Sequence, residues 1–140
     1  MRDNLVLRVV GKMIIPTILL FALYVQFHAD YGPGGGFQAG VIFAAGVILY
    51  ALIFGTASAR RLTPPGLLRV AIALGLLLYA GVGFLPLLEG KNYLDYDALG
   101  SDPLAGQHVG IFLVELGVGI TVAAVMVTIF FAFAGRYDEP

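Results

Sequence analysis

The sequence contains no cysteine, so neither a disulfide nor a thiolate metal site is available to it. It is also short of charge. Asp, Glu, Lys and Arg make up 12% of its 140 residues, about half of the roughly 25% usual in soluble domains. A net charge of −1 gives no reason to expect a nucleic-acid partner. No set of nucleophile, base and metal ligands stands out, which argues against an enzyme and against a resident metal or cofactor. A phosphate-binding loop is excluded too, because the glycine-rich stretch lacks the Lys and hydroxyl of GxxxxGK[ST]. Nor is there a clear internal repeat, which a stand-alone carrier is expected to show.

What remains is apolar. Hydrophobic residues are 59% of the chain and its mean hydropathy is +0.92. Four apolar runs cover about residues 9–27, 37–57, 67–88 and 109–134. At 1.5 Å per residue, a run of some 19 residues reaches roughly 28 Å, enough to cross a hydrocarbon core. The reading is an all-α integral membrane protein, one domain over residues 1–140 with four transmembrane helices. The first run is broken only by Lys12, Pro16 and Gln26. Lys12 can snorkel to the interface, and Pro is tolerated in membrane helices. This run is long for a signal peptide and lacks an Ala-x-Ala exit, so it reads as a retained span. The second run ends at residues 58–66, a basic Pro/Gly linker expected to stop the helix. In the third, Gly75, Tyr79 and Gly83 fall at i, i+4 and i+8 and mark a narrow packing face.

Between the first two runs lies HADYGPGGGFQAG, from His28 to Gly40, with four of the nineteen glycines inside five residues. A helix cannot run comfortably through Gly-Pro-Gly-Gly-Gly, so a tight loop is expected over 28–36. The spacing Gly36, Gly40, Ala44 carries a small-residue stripe into the second helix, where another helix can approach closely. Packing alone would explain such glycines. A second polar stretch, about 89–108, holds four acids against Lys91 and reads as a surface loop with room for one helical turn. Asp95 and Asp97 within it can attract cations or simply be solvated.

Four spans put both termini and the 58–66 linker on one side. That side holds Arg2, Arg8, Lys12, Arg60, Arg61, Arg69 and Arg136, and the other holds only Lys91. By the positive-inside rule both termini face the cytoplasm, with the glycine loop and the acidic loop outside.

One charge stands where charge is expensive. Glu115 lies six residues into the fourth run, about 10 Å deep by helical rise. An ionised carboxylate there costs roughly 2.5–3.5 kcal/mol, so it should face protein or water and not lipid. Two readings stand side by side: a group that exchanges protons or meets cations, or a hydrogen-bonding Glu that glues two helices. Gly119 and Ala123 share its face, which favours helix contact. The small-residue faces on the second and fourth helices offer surface for further chains. His28 and His108 sit near the outer ends of the first and fourth spans.

The segment HADYGPGGGFQAG resembles the HGHxxPGGGFxGG segment of the B subunit of Mrp-type (Mnh) cation/proton antiporters. Pro33, Gly34, Gly35, Gly36, Phe37 and Gly40 match, and His28 falls on the first His. Asp30 stands where that family has its second His, and Ala39 replaces a Gly. The run from Val109 to Val127 is similar to the last helix of the same subunits, including its intramembrane Glu. The resemblance implies a small subunit of a multisubunit Na+/H+ antiporter in a bacterial or archaeal cell membrane. Its implied partners are large proton-channel subunits, other small membrane subunits and the lipid bilayer, with Na+ and H+ as transported ions. Glu115, His28, His108 and Asp30 are then the candidates for an ion or proton path. The alternative is a purely structural membrane subunit of a related hydrogenase or complex I-like assembly.

Overall fold

The computed structural model describes residues 4–28, 34–100 and 102–135. Those residues form five α-helices and one short 3-10 helix: α1 (Leu5–Phe27), α2 (Gly36–Phe54), α3 (Thr56–Leu62), α4 (Pro65–Leu88), the 3-10 turn Tyr96–Leu99, and α5 (Pro103–Ala134). Four of the helices are long and apolar enough to cross a membrane. Their outward faces are apolar as well, with Leu20, Leu77 and Phe133 largely exposed. That pattern suits a hydrocarbon solvent or partner chains.

Each helix boundary has a local cause. Asn4 caps α1, its side chain accepting from the Leu7 N–H at 3.3 Å. The helix then continues unbroken past Pro16. Gly55 adopts φ +99°, a left-handed backbone closed to most side chains, and there α2 breaks from α3. Pro65 opens α4 at its first position, where a missing N–H costs nothing. Asp102 caps α5, accepting from the Ala105 N–H at 2.7 Å, with Pro103 next to it.

Two stretches differ from the sequence expectation. Residues 58–62 are helical, inside α3, because Ala, Ser, Arg and Leu sustain a helix once Gly55 has turned the chain. The stop comes after them, at Pro64. The fourth helix starts at Pro103, six residues before the apolar run, so the loop expected over 89–108 is shorter and holds the 3-10 turn. Asp97 accepts a hydrogen bond from Gln107 Nε2 at 2.8 Å, tying that turn to α5.

α5 is the centre of the packing. It lies against both α2 and α4, and α2 in turn lies against α1. The Gly36/Gly40 face meets α5 inside this chain and is not offered to another. Gly75 of α4 packs in the same way on Gly117 of α5, a Cβ there coming 2.7 Å from the Gly117 oxygen. At the other end of α5, Arg60 of α3 donates to the Phe131 oxygen at 3.2 Å and lies 5.0 Å over the Phe131 ring. Ala44, Ala51, Ala59, Leu68, Ala124, Val127 and Phe131 form the buried core at that end.

Candidate functional site

The motif glycines and the intramembrane Glu meet. α2 begins at Gly36, and its first turn presses on the α5 backbone at Glu115: a Cβ on Gly36 would overlap the Glu115 carbonyl oxygen. One turn on, a Cβ on Gly40 would come 2.6 Å from the Gly119 oxygen and 2.9 Å from Val122 Cβ. Only glycine permits this approach. Gly35, the N-cap of α2, has an extended backbone, and the Glu115 Oε1 lies 3.4 Å from where its Cβ would be. The half-buried Glu115 carboxyl is thus seated at the N-terminal, electropositive end of α2.

This position lies deeper along the helix than the apolar run suggests. Glu115 is twelve residues past Pro103, about 18 Å along the axis. The ring of Phe112, three residues earlier, stacks on Phe27 of α1 at 5.8 Å and brings the end of α1 to the same level.

The other sequence candidates are placed differently. His28 is the C-cap of α1, its N–H donating to the Tyr24 oxygen at 3.0 Å and its ring stacked on Tyr24 at 5.0 Å. His108 lies on α5, two turns before Glu115. Both histidines are exposed. Phe37 is 63% exposed and points away from the crossing. Gly34 is half-buried just before the N-cap. Asp30 and Pro33 lie outside the described residues.

Sequence reasoning missed Gln26. It reads there as an interruption of an apolar run, yet it is buried in the last turn of α1, only 5% exposed. Its Oε1 lies 2.6 Å from the Cβ position of Gly119, and its Nε2 has no partner among the described residues. A buried polar group left so costs about 1–3 kcal/mol, which marks it as more than filler. The only signal in sequence was a neutral amide two residues before the loop. Gln26 also lines a groove of about 330 Å³ bounded by α1, α2, α4 and α5. The rest of that lining is apolar apart from Thr63 at the far end. Among the described residues no three His, Cys, Asp or Glu side chains converge as metal ligands would.

This geometry accompanies a clear kinship. The profile of the domain related to the MnhB subunit of Na+/H+ antiporter matches residues 6–128. Proteins of Staphylococcus aureus strains Newman, JH1 and COL, each described as "Putative antiporter subunit mnhB2", are 34% identical over 139 residues. The match covers 96% of this chain and 98% of each relative. It thus takes in both the glycine motif and Glu115. The family is one of transporter components, not of enzymes, and this chain belongs to it: a member of the MnhB domain family of Na+/H+ antiporter subunits.

Proposed function

We propose that this chain is a small multi-pass subunit of a multisubunit Na+/H+ antiporter in a cell membrane, working beside larger proton-conducting subunits. Its α2/α5 crossing borders the path of the cation or the proton, with Glu115 as the group that meets it. One observation carries this reading: the family's glycine motif brings the positive end of α2 onto the sole intramembrane carboxyl group, not onto plain apolar surface. A contact built only for tightness needs no carboxyl at that place. The apolar outer faces support both the membrane setting and the need for partner chains.

The test separates charge from glue. Glu115→Gln keeps the shape, an acceptor and a donor, but removes the titratable group. With complex content quantified in the same vesicles, Glu115→Gln should assemble normally. Sodium-driven proton flux should fall at least about tenfold across the pH series. Full flux at every pH would leave Glu115 a structural residue. Orientation is tested separately. Single cysteines at Ser58 and Ser101 should label from opposite sides of the intact membrane, Ser101 from outside. Labelling of both from one side would overturn the four-span arrangement with cytoplasmic termini.

A further inference from the structure

The Gln26 amide is aimed at the same crossing as Glu115. Its tip lies on Gly119, with Oε1 at 2.6 Å and Cδ at 3.6 Å from the Cβ position, and the Gly36 carbonyl oxygen is 3.1 Å from that same point. Glu115 stands one turn back on the same face of α5, its backbone on Gly36 and its Oε1 beside Gly35. Three helices therefore converge on one place: α1 with the Gln26 amide, its Oε1 on Gly119, α2 with the backbone of its first turn, and α5 with a carboxyl group. Among the described residues the titratable surroundings are sparse. α2 carries none but Tyr50, near its opposite end. α1 adds His28 at its end, α5 adds His108 two turns before Glu115, and α4 brings Tyr79, whose backbone N lies against Gly117.

A buried amide N–H with no protein acceptor has one common solution in folded proteins, a bound water that completes the network. The amide donor cannot ligate a cation, but it can hold a water oxygen. That water retains two hydrogens for acceptors, and the groove lined by Gln26 passes Gly119, one turn from Glu115 on the same face. We propose that Gln26 and Glu115 share a bound water at the α1/α2/α5 crossing: Gln26 Nε2 donates to the water oxygen, and the water donates to the Glu115 carboxyl oxygen. Gln26 is then a positioning residue for Glu115. The effect on transport rests on the reading of Glu115 given above; the shared water itself does not.

The experiment uses the assembled complex, purified and reconstituted in vesicles. Gln26→Met keeps length and volume while removing the donor. Two readouts are taken: the pH profile of sodium-driven proton flux, and the infrared carbonyl band of protonated Glu115, assigned by its loss in Glu115→Gln. Gln26→Met should shift the Glu115 band and the midpoint of the flux profile, and lower flux about tenfold. If Gln26→Met does not assemble, Gln26→Asn retains the amide but withdraws it by one methylene, and must shift the band as well. An unshifted Glu115 band in the variant that assembles overturns the proposal. If Glu115→Gln keeps full flux, the transport reading falls, yet a band shift in Gln26→Met still upholds the shared water.

Discussion

Two faces of α5 are packed by the same means and enclose different chemistry. On one, Gly36 and Gly40 of α2 bring backbone against Glu115 and Gly119; on the other, Gly75 of α4 meets Gly117 and Thr121. The α4 side settles its polar groups at home. Thr121 donates its hydroxyl to the Gly117 oxygen at 2.8 Å, within its own helix. The α2 side keeps a carboxyl group and a buried amide at the crossing. Small residues thus mark where helices approach closely on both faces, and the polar side chains beside them are what differ.

Adding a methyl to each side is the sharpest way to break this comparison. Gly36→Ala and Gly75→Ala both drive a Cβ into atoms that cannot move aside, Glu115 backbone in one case and Gly117 and Thr121 in the other. Each should destabilise the assembled protein by about 1–3 kcal/mol. The difference lies in what the surviving complex does. Gly36→Ala displaces Glu115 and should lose flux per complex, while Gly75→Ala should lose complex and keep flux per complex. Equal flux per complex in the two would make the α2 crossing a joint like the other. Gly81→Ala is the matched control, since its Cβ meets nothing within 4 Å. It should leave stability unchanged or raise it by up to about 1 kcal/mol of helix propensity, read as an unchanged or higher melting temperature.

The smallest effect concerns the polar group on the α4 side. Burial, and then the neighbouring Tyr79 and Tyr93, raise the Tyr96 hydroxyl above its ordinary value of 10.0. The folded state therefore favours the neutral phenol. The stability this confers is fully present below about pH 10 and is lost as pH rises through the folded value. Thermal melts of Tyr96→Phe between pH 9 and about 11 should show a shallower alkaline fall than the parent. Parallel curves would mean that Tyr96 ionises without consequence for the α4 side.

The four long helices were legible because membrane spans announce themselves through unbroken apolar runs, and Glu115 was legible because it is a lone charge within one. Other features carry no such contrast. Pro103–His108 is polar or small, so hydropathy ends the run at Val109, although the Asp102-Pro103 pair is a readable cap and first turn. Residues 56–62 were hidden by the Pro-Pro-Gly that follows them. Gln26 was hidden by neutrality: an amide at the end of an apolar run looks like the approach to a loop, and only three-dimensional packing shows it sealed. The Gly36/Gly40 spacing did mark the residues that touch, but it could not say what they meet, which is α5 of the same chain at Glu115 and Gly119.

The length and anchoring of α5 bear on how such a subunit can work. Its 32 residues make a rod of about 48 Å, longer than a hydrocarbon core of roughly 30 Å. One end is wedged by the Tyr96 turn against Gly106 and Gly110, and the other is pinned by Arg60 at Phe131. Contacts at both ends oppose sliding or turning of this rod by itself. On the proposed reading of Glu115, movement past it falls to rotation of that side chain, or to neighbouring chains rocking against α5, rather than to sliding of α5 itself.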